Sequence, residues 1–201
     1  MLSTILSKGI GACAFVFLCL AGPLSGWAQG DRSDGSLIVG GTRLPFTPGS
    51  NSLSDTGTPL TNPVGPGGSA VANDPVTGEL LFYAGGGGIY DAQGNLLQAL
   101  GGDPVANQPV AVVPVPGDDL TDGTRDYYVF VNEGGTVRRY TVSVNVQNAP
   151  VATVAGPTDT GIVGAADALA IVPNEDNSNF WVVTQRAGTG DFLVLMWPDR
   201  R

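Results

Sequence analysis

The sequence predicts an all-β fold of repeated antiparallel sheets, with no helix beyond an N-terminal leader. Three observations lead there. A pattern recurs: an apolar run ending in an acidic or prolyl turn, then an aromatic-rich run, then a third strand-like run. Gly (30) and Pro (15) are plentiful while 13% of residues are charged, which suits many short strands joined by tight turns. Apolar spacing near 3.6 is absent past the leader, where Pro and Gly interrupt every longer stretch. With 42% hydrophobic residues, the 201-residue chain can bury a real core, and its composition argues against disorder.

Residues 1–28 read as a secretory signal peptide. Lys8 and the terminal amine make a basic start, Ile10 to Leu20 is apolar, Gly22-Pro23 breaks the helix, and Gly26-Trp27-Ala28 offers small residues before a cut. The apolar stretch is shorter than the roughly 20 residues a bilayer span needs. Phe17-Leu18 before Cys19 lacks the small residues of a lipoprotein acylation site. The expectation is a secreted or cell-surface protein, periplasmic or extracellular, with no membrane insertion after cleavage.

Cleavage removes Cys13, Cys19 and Lys8, leaving a mature chain with no Cys, Lys or His. Disulfides are then impossible, so packing and strand pairing must hold the fold. Eight Arg against 18 acids give the mature chain a net charge of −10. Such a surface repels nucleic-acid phosphates and anionic headgroups, so no nucleic-acid partner is expected.

Residues 29–35 read as a loose tail, and residues 36–201 as one β domain. Ser36 to Phe46 contains one or two short strands. Thr47 to Gly68 reads as an extended connection with a short strand near Thr58 to Thr61. Copy one of the repeat has runs Ser69–Asp74, Glu79–Ala84 and Gly88–Asp91, with Asn95-Leu-Leu97 as a fourth strand. Copy two has Pro109–Pro114, Asp126–Val131, Thr136–Val144 and Val151–Val154. Copy three has Ala168–Pro173, Asn179–Thr184 and Asp191–Trp197. The central runs are continuously apolar, the signature of strands covered on both faces. Thr136–Val144 instead alternates, with Arg138, Tyr140, Val142 and Val144 opposite Val137, Arg139, Thr141 and Ser143, as a strand with one wet face does.

Repeats of roughly 40 to 50 residues are what β-propeller blades give. The expectation is a partial propeller of about three four-stranded blades, near 69–97, 109–154 and 168–197. About three blades cannot close a ring, and open edges carry unpaired backbone groups. Continuation in a longer protein is the favoured resolution. Self-association through the open edges, or pairing of the N-terminal strands with the last copy, would also cover them.

Gly68-Ser-Ala-Val-Ala-Asn-Asp-Pro-Val-Thr-Gly-Glu-Leu-Leu-Phe-Tyr-Ala84, followed by Gly88-Ile-Tyr-Asp-Ala-Gln-Gly-Asn95, resembles the N-terminal propeller-like region (WD40-like or kelch-like blades) of large secreted surface proteins of gliding and related bacteria. Val112–Gly117 with Tyr127–Phe130, and Asp167–Val172 with Phe180–Thr184, look like the next two blades. The resemblance runs from about Leu37 to Trp197. It implies an exported surface module and carries over no catalytic residues.

Without His or Cys, the mature chain offers no Ser-His-Asp triad, Cys nucleophile or His-ligated metal. No catalytic, cofactor-binding or metal-binding residue is assigned, and no cofactor is expected. Two carboxylates could form a glycosidase pair, and the glutamates are Glu79, Glu133 and Glu175. Glu79 and Asp126 occupy matching strand entrances, and Glu133 and Glu175 lie in turns, so strand-end solvation is the reading preferred. The acidic loop Asp118–Asp126 invites Ca²⁺, yet Leu120 stands where a ligand oxygen is needed, and Asp122-Gly123 is hairpin-turn chemistry. Gly85–Gly88 lacks the following helix of a nucleotide-binding loop, so these glycines serve a bend and a close backbone approach. Tyr83, Tyr90, Tyr127, Tyr128, Phe130, Phe180, Trp181, Phe192 and Trp197 lie within apolar runs and read as core rather than as a sugar-stacking platform. The function expected is a non-enzymatic binding or scaffold module meeting a protein or glycan at the cell surface. The alternatives are a carboxylate-dependent polysaccharide hydrolase or a fragment of a larger surface protein.

Overall fold

The structure, a computed structural model, describes residues 36–39, 41–46, 54, 56–65, 67–147, 151–174 and 178–197. The signal peptide, the loose tail and Glu175 fall outside the described residues. The described chain is all-β: fourteen strands in four antiparallel sheets and no helix.

The first sheet orders β1 (Ser36–Val39), β2 (Thr42–Pro45) and β3 (Thr58–Pro59). The second is a meander of β4 (Ser69–Asn73), β5 (Leu80–Gly85), β6 (Gly88–Asp91) and β7 (Leu96–Ala99). The third is a meander of β8 (Val110–Pro114), β9 (Thr124–Glu133), β10 (Thr136–Asn145) and β11 (Val151–Val163). The fourth orders β12 (Ala165–Pro173), β13 (Phe180–Arg186) and β14 (Phe192–Trp197).

Two expectations change. There are four sheets rather than about three, because the short strands expected within Ser36–Phe46 and near Thr58–Thr61 pair with one another as a sheet of their own. Only the second and third sheets have four strands; the first and fourth have three. The fourth strand of copy two also runs on to Val163, well past Val154.

The sheets pack face to face in chain order. Ile38 and Val64 meet Leu80 and Tyr83 between the first and second sheets. Phe82, Ala84 and Ile89 meet Val110, Val129 and Val142 between the second and third, with the Phe82 and Tyr127 rings edge to face at 5.3 Å. Phe130 and Val137 meet Leu169, Phe180 and Val182 between the third and fourth, with Phe130 and Phe180 at 5.7 Å. Arg139 lies over the rings of Tyr128 and Trp197, at 4.9 and 4.8 Å, and adds a cation–π bridge across that junction. Aromatic pairs and buried aliphatic area of this kind are the main favourable terms holding one sheet to the next.

The opening strands of successive sheets, β1, β4, β8 and β12, lie beside one another. Gln108 and Ala168 make a parallel bridge where β8 and β12 meet, so these strands point the same way. Buried polar bonds tie the row together. Ser36 Oγ donates to Asn73 Oδ1 at 2.7 Å, and Tyr127 Oη donates to the Asn73 carbonyl at 3.0 Å. Asn132 Nδ2 donates to the Ala166 carbonyl.

The central strands do not all meet the expectation of cover on both faces. β5 is buried throughout and β9 over Val129–Asn132, each lying between two sheets. β13 alternates, with Phe180, Val182 and Thr184 buried and Trp181 40% exposed. The reason is positional: among the described residues no sheet covers its outer side.

Candidate functional site

The repeat's punctuation builds the site. β4, β8 and β12 run alongside and end together, so the turns that follow them gather at one end of the molecule. Pro114 and Pro173 end β8 and β12, Pro75 stands in the turn two residues past the end of β4, and all three line one cleft of about 530 Å³. Val112, Val113, Val115 and Pro116 form one wall, and Ile171 and Phe180 the other, so the cleft lies between the third and fourth sheets. Proline suits these places, since its missing N–H ends a ladder without leaving a donor unpaired.

One hydrogen bond recurs at each of the three strand entrances. The Asp74 N–H donates to the Glu79 carbonyl at 2.8 Å, the Val115 N–H to the Asp126 carbonyl at 2.9 Å, and the Asn174 N–H to the Asn179 carbonyl at 3.0 Å. Glu79, Asp126 and Asn179 are therefore equivalent positions. Copy two adds a long loop there, and the loop carries the acids.

At the cleft, polar groups interrupt the apolar wall. Arg125 is buried and its Nε lies 3.7 Å from Asp74 Oδ2, while its Nη1 donates to the carbonyls of Leu120 and Thr124 at 2.9 and 2.8 Å. These bonds hold the loop's far end and pin the third sheet to the second. A buried charge of this kind requires its partner, because an unpaired one would face a large desolvation penalty. Asp118 Oδ2 accepts from the Asp126 N–H at 3.1 Å. Burial pushes the Asp118 carboxyl above the usual carboxylate range, against the lowering effect of that N–H, and Asp126 and Asp122 add repulsion. Two oxygens shielded from solvent, Asp126 Oδ1 and Asn179 Oδ1, have no hydrogen-bond partner among the described residues. An apolar groove with two unfilled acceptors and a high carboxyl favours a ligand with N–H donors and aliphatic side chains.

In the acidic loop, Asp119 Oδ1 accepts from the Thr121 N–H and hydroxyl at 2.9 and 2.7 Å, which holds its carboxyl below the usual range. Asp122 Oδ1 accepts from the Thr124 N–H at 2.6 Å. The loop's acids thus cap their own turns, and no group of three or more acids able to hold a metal occurs among the described residues. Glu79 is exposed at its hairpin. Glu133 Oε1 accepts from Tyr140 Oη at 2.8 Å and from the Gly101 N–H at 3.0 Å, and its Oε2 lies 3.4 Å from Arg138 Nε. It braces the β9–β10 hairpin rather than facing a cleft. A Cβ on Gly86 would sit 2.2 Å from the Asp103 carbonyl oxygen, so that glycine serves a close backbone approach. Of the nine aromatics, Tyr83, Tyr127, Phe130 and Phe180 are core, whereas Trp181 and Phe192 stand exposed on the outer side of the fourth sheet.

Sequence reasoning missed Asn179 and the prolines as site residues. The signal was present, since every copy's first run ends in an acidic or prolyl turn. That pattern marks strand ends, and only the parallel alignment of the opening strands brings the ends together. Comparison of the chain with family models, with curated proteins and with solved structures finds no match.

Proposed function

We propose that the chain is an exported, non-enzymatic binding module whose four sheets are successive sectors of a propeller-like arc, of the kind found in large secreted surface proteins. The observation that supports it most is the cleft at the end of β4, β8 and β12, with its valine and proline walls and the two unfilled acceptors of Asp126 and Asn179. The adjacency of all four opening strands supports the arc. The leader-like N-terminus supports export.

A protein partner suits this cleft better than a glycan. Sugar recognition favours an exposed aromatic face, and the cleft's aromatics, Tyr127 and Phe180, are buried. An extended peptide offers backbone N–H groups to Asp126 and Asn179, aliphatic side chains to the Val113 wall, and a Lys or Arg to the acids.

The test is a display library of extended peptides, selected on the mature chain beside a panel of oligosaccharides. Apolar peptides with a basic residue are expected, binding about tenfold more weakly to Asp126→Ala. Selection of sugars alone would overturn the proposal, as would release of reducing ends from polysaccharide that disappears in Glu79→Gln or Glu133→Gln.

A further inference from the structure

The second and third sheets each pack both faces, but among the described residues the first and fourth use one face each. The free face of the fourth sheet is apolar. Val172, Trp181 and Met196 form one row by register, Val183 and Val194 the next, and Gln185 with Phe192 the last. Exposure reaches 68% for Phe192 and 55% for Val194. The free face of the first sheet pairs Leu37 with Leu44 and Val39 with Thr42, and Leu37 and Val39 are 43% and 53% exposed. Not one of these rows carries a charge, in a chain of net charge −9. Contiguous exposed apolar faces on a strongly acidic molecule mark interaction surfaces.

We propose that a second copy of this chain covers the free face of the fourth sheet with its own first sheet, head to tail. Continuity argues for this occupant. Every junction within the chain sets one sheet's forward face on the next sheet's rear face, and the two free faces are the next such pair. The fourth-sheet face, six residues along and three strands across, measures about 20 by 14 Å. A pair closed at both ends would bury about 1,000 Å² in all, the lower end for a specific interface, so the association is concentration-dependent. A head-to-tail contact either closes or runs on. Two copies bring eight sheets, within the four to eight of closed propellers. That count rests on the arc reading; the contact itself does not.

The test is sedimentation equilibrium of the mature chain, with two variants. L37D/V39D charges the head face and V194D/M196D the tail face. The unsubstituted chain is expected to associate, and each variant alone to be monomeric. An equimolar mixture of the two should associate more than either variant alone and less than the unsubstituted chain, because one intact head still meets one intact tail but buries half the area. A chain that stays monomeric at every concentration would overturn the proposal. So would an L37D/V39D variant that still pairs, since fourth sheets would then be meeting back to back. Circular dichroism checks that each variant keeps its β signal; where one does not, V39T and V194T make the same comparison more gently. Peptide binding at the cleft should persist in the monomeric variants, which separates failure here from failure of the binding-module reading.

Discussion

Tyr140 shows how a single side chain ties stability to pH. Its ring lies in the core between the second and third sheets, and its hydroxyl donates to Glu133. Burial, with the Glu133 carboxylate beside it, pushes the phenol from its ordinary value near 10 up to about 12. The folded state therefore holds this proton more tightly than the unfolded chain does. The resulting stability is fully present below pH 10 and is lost as pH rises toward 12. Denaturant melts across this range should show declining stability, with a shallower decline in Tyr140→Phe. Identical slopes in the two proteins would show that the Tyr140 proton is not held by the fold. The sequence placed Tyr140 on an apolar face of its strand. It could not reveal Glu133 as the partner, because that contact depends on the turn geometry of the β9–β10 hairpin.

At the scale of elements, the repeat is readable because the second, third and fourth sheets each write the same order of turn, aromatic run and hairpin. All four strands of copy one and all three of copy three appear where that order puts them. The first sheet was less legible. β1, β2 and β3 are short, β2 and β3 end in proline, and they lack the aromatic run. The cleft was illegible for a different reason, since a strand-ending proline looks the same whether its turn stands alone or beside two others. The Gly85–Gly88 hairpin is a place of close approach, as its glycine run implies, and its two middle glycines differ sharply. A Cβ on Gly86 would collide with the Asp103 backbone, whereas one on Gly87 would meet only Pro104 Cβ at 3.9 Å. Gly86→Ala should cost about 2 kcal/mol, lowering Tm by roughly 4–8 °C, while Gly87→Ala leaves it nearly unchanged. Thermal melts of both variants check this, and equal effects would show that the contact with Asp103 is not tight.

For the whole molecule, the proposed binding function rests on how the sheets are stacked. Aligned opening strands gather three turns into one cleft, and a stack with two ends leaves two apolar faces. Net charge keeps the remainder of the surface wet. Each of these consequences depends on the second, third and fourth sheets meeting in chain order through particular rings. Aromatic cross-peaks in a nuclear Overhauser spectrum of the mature chain report those meetings directly. Stacking in chain order predicts contacts between Phe82 and Tyr127, at 5.3 Å, and between Phe130 and Phe180, at 5.7 Å. Absence of both pairs, or contacts joining Phe82 to Phe180 instead, would contradict it.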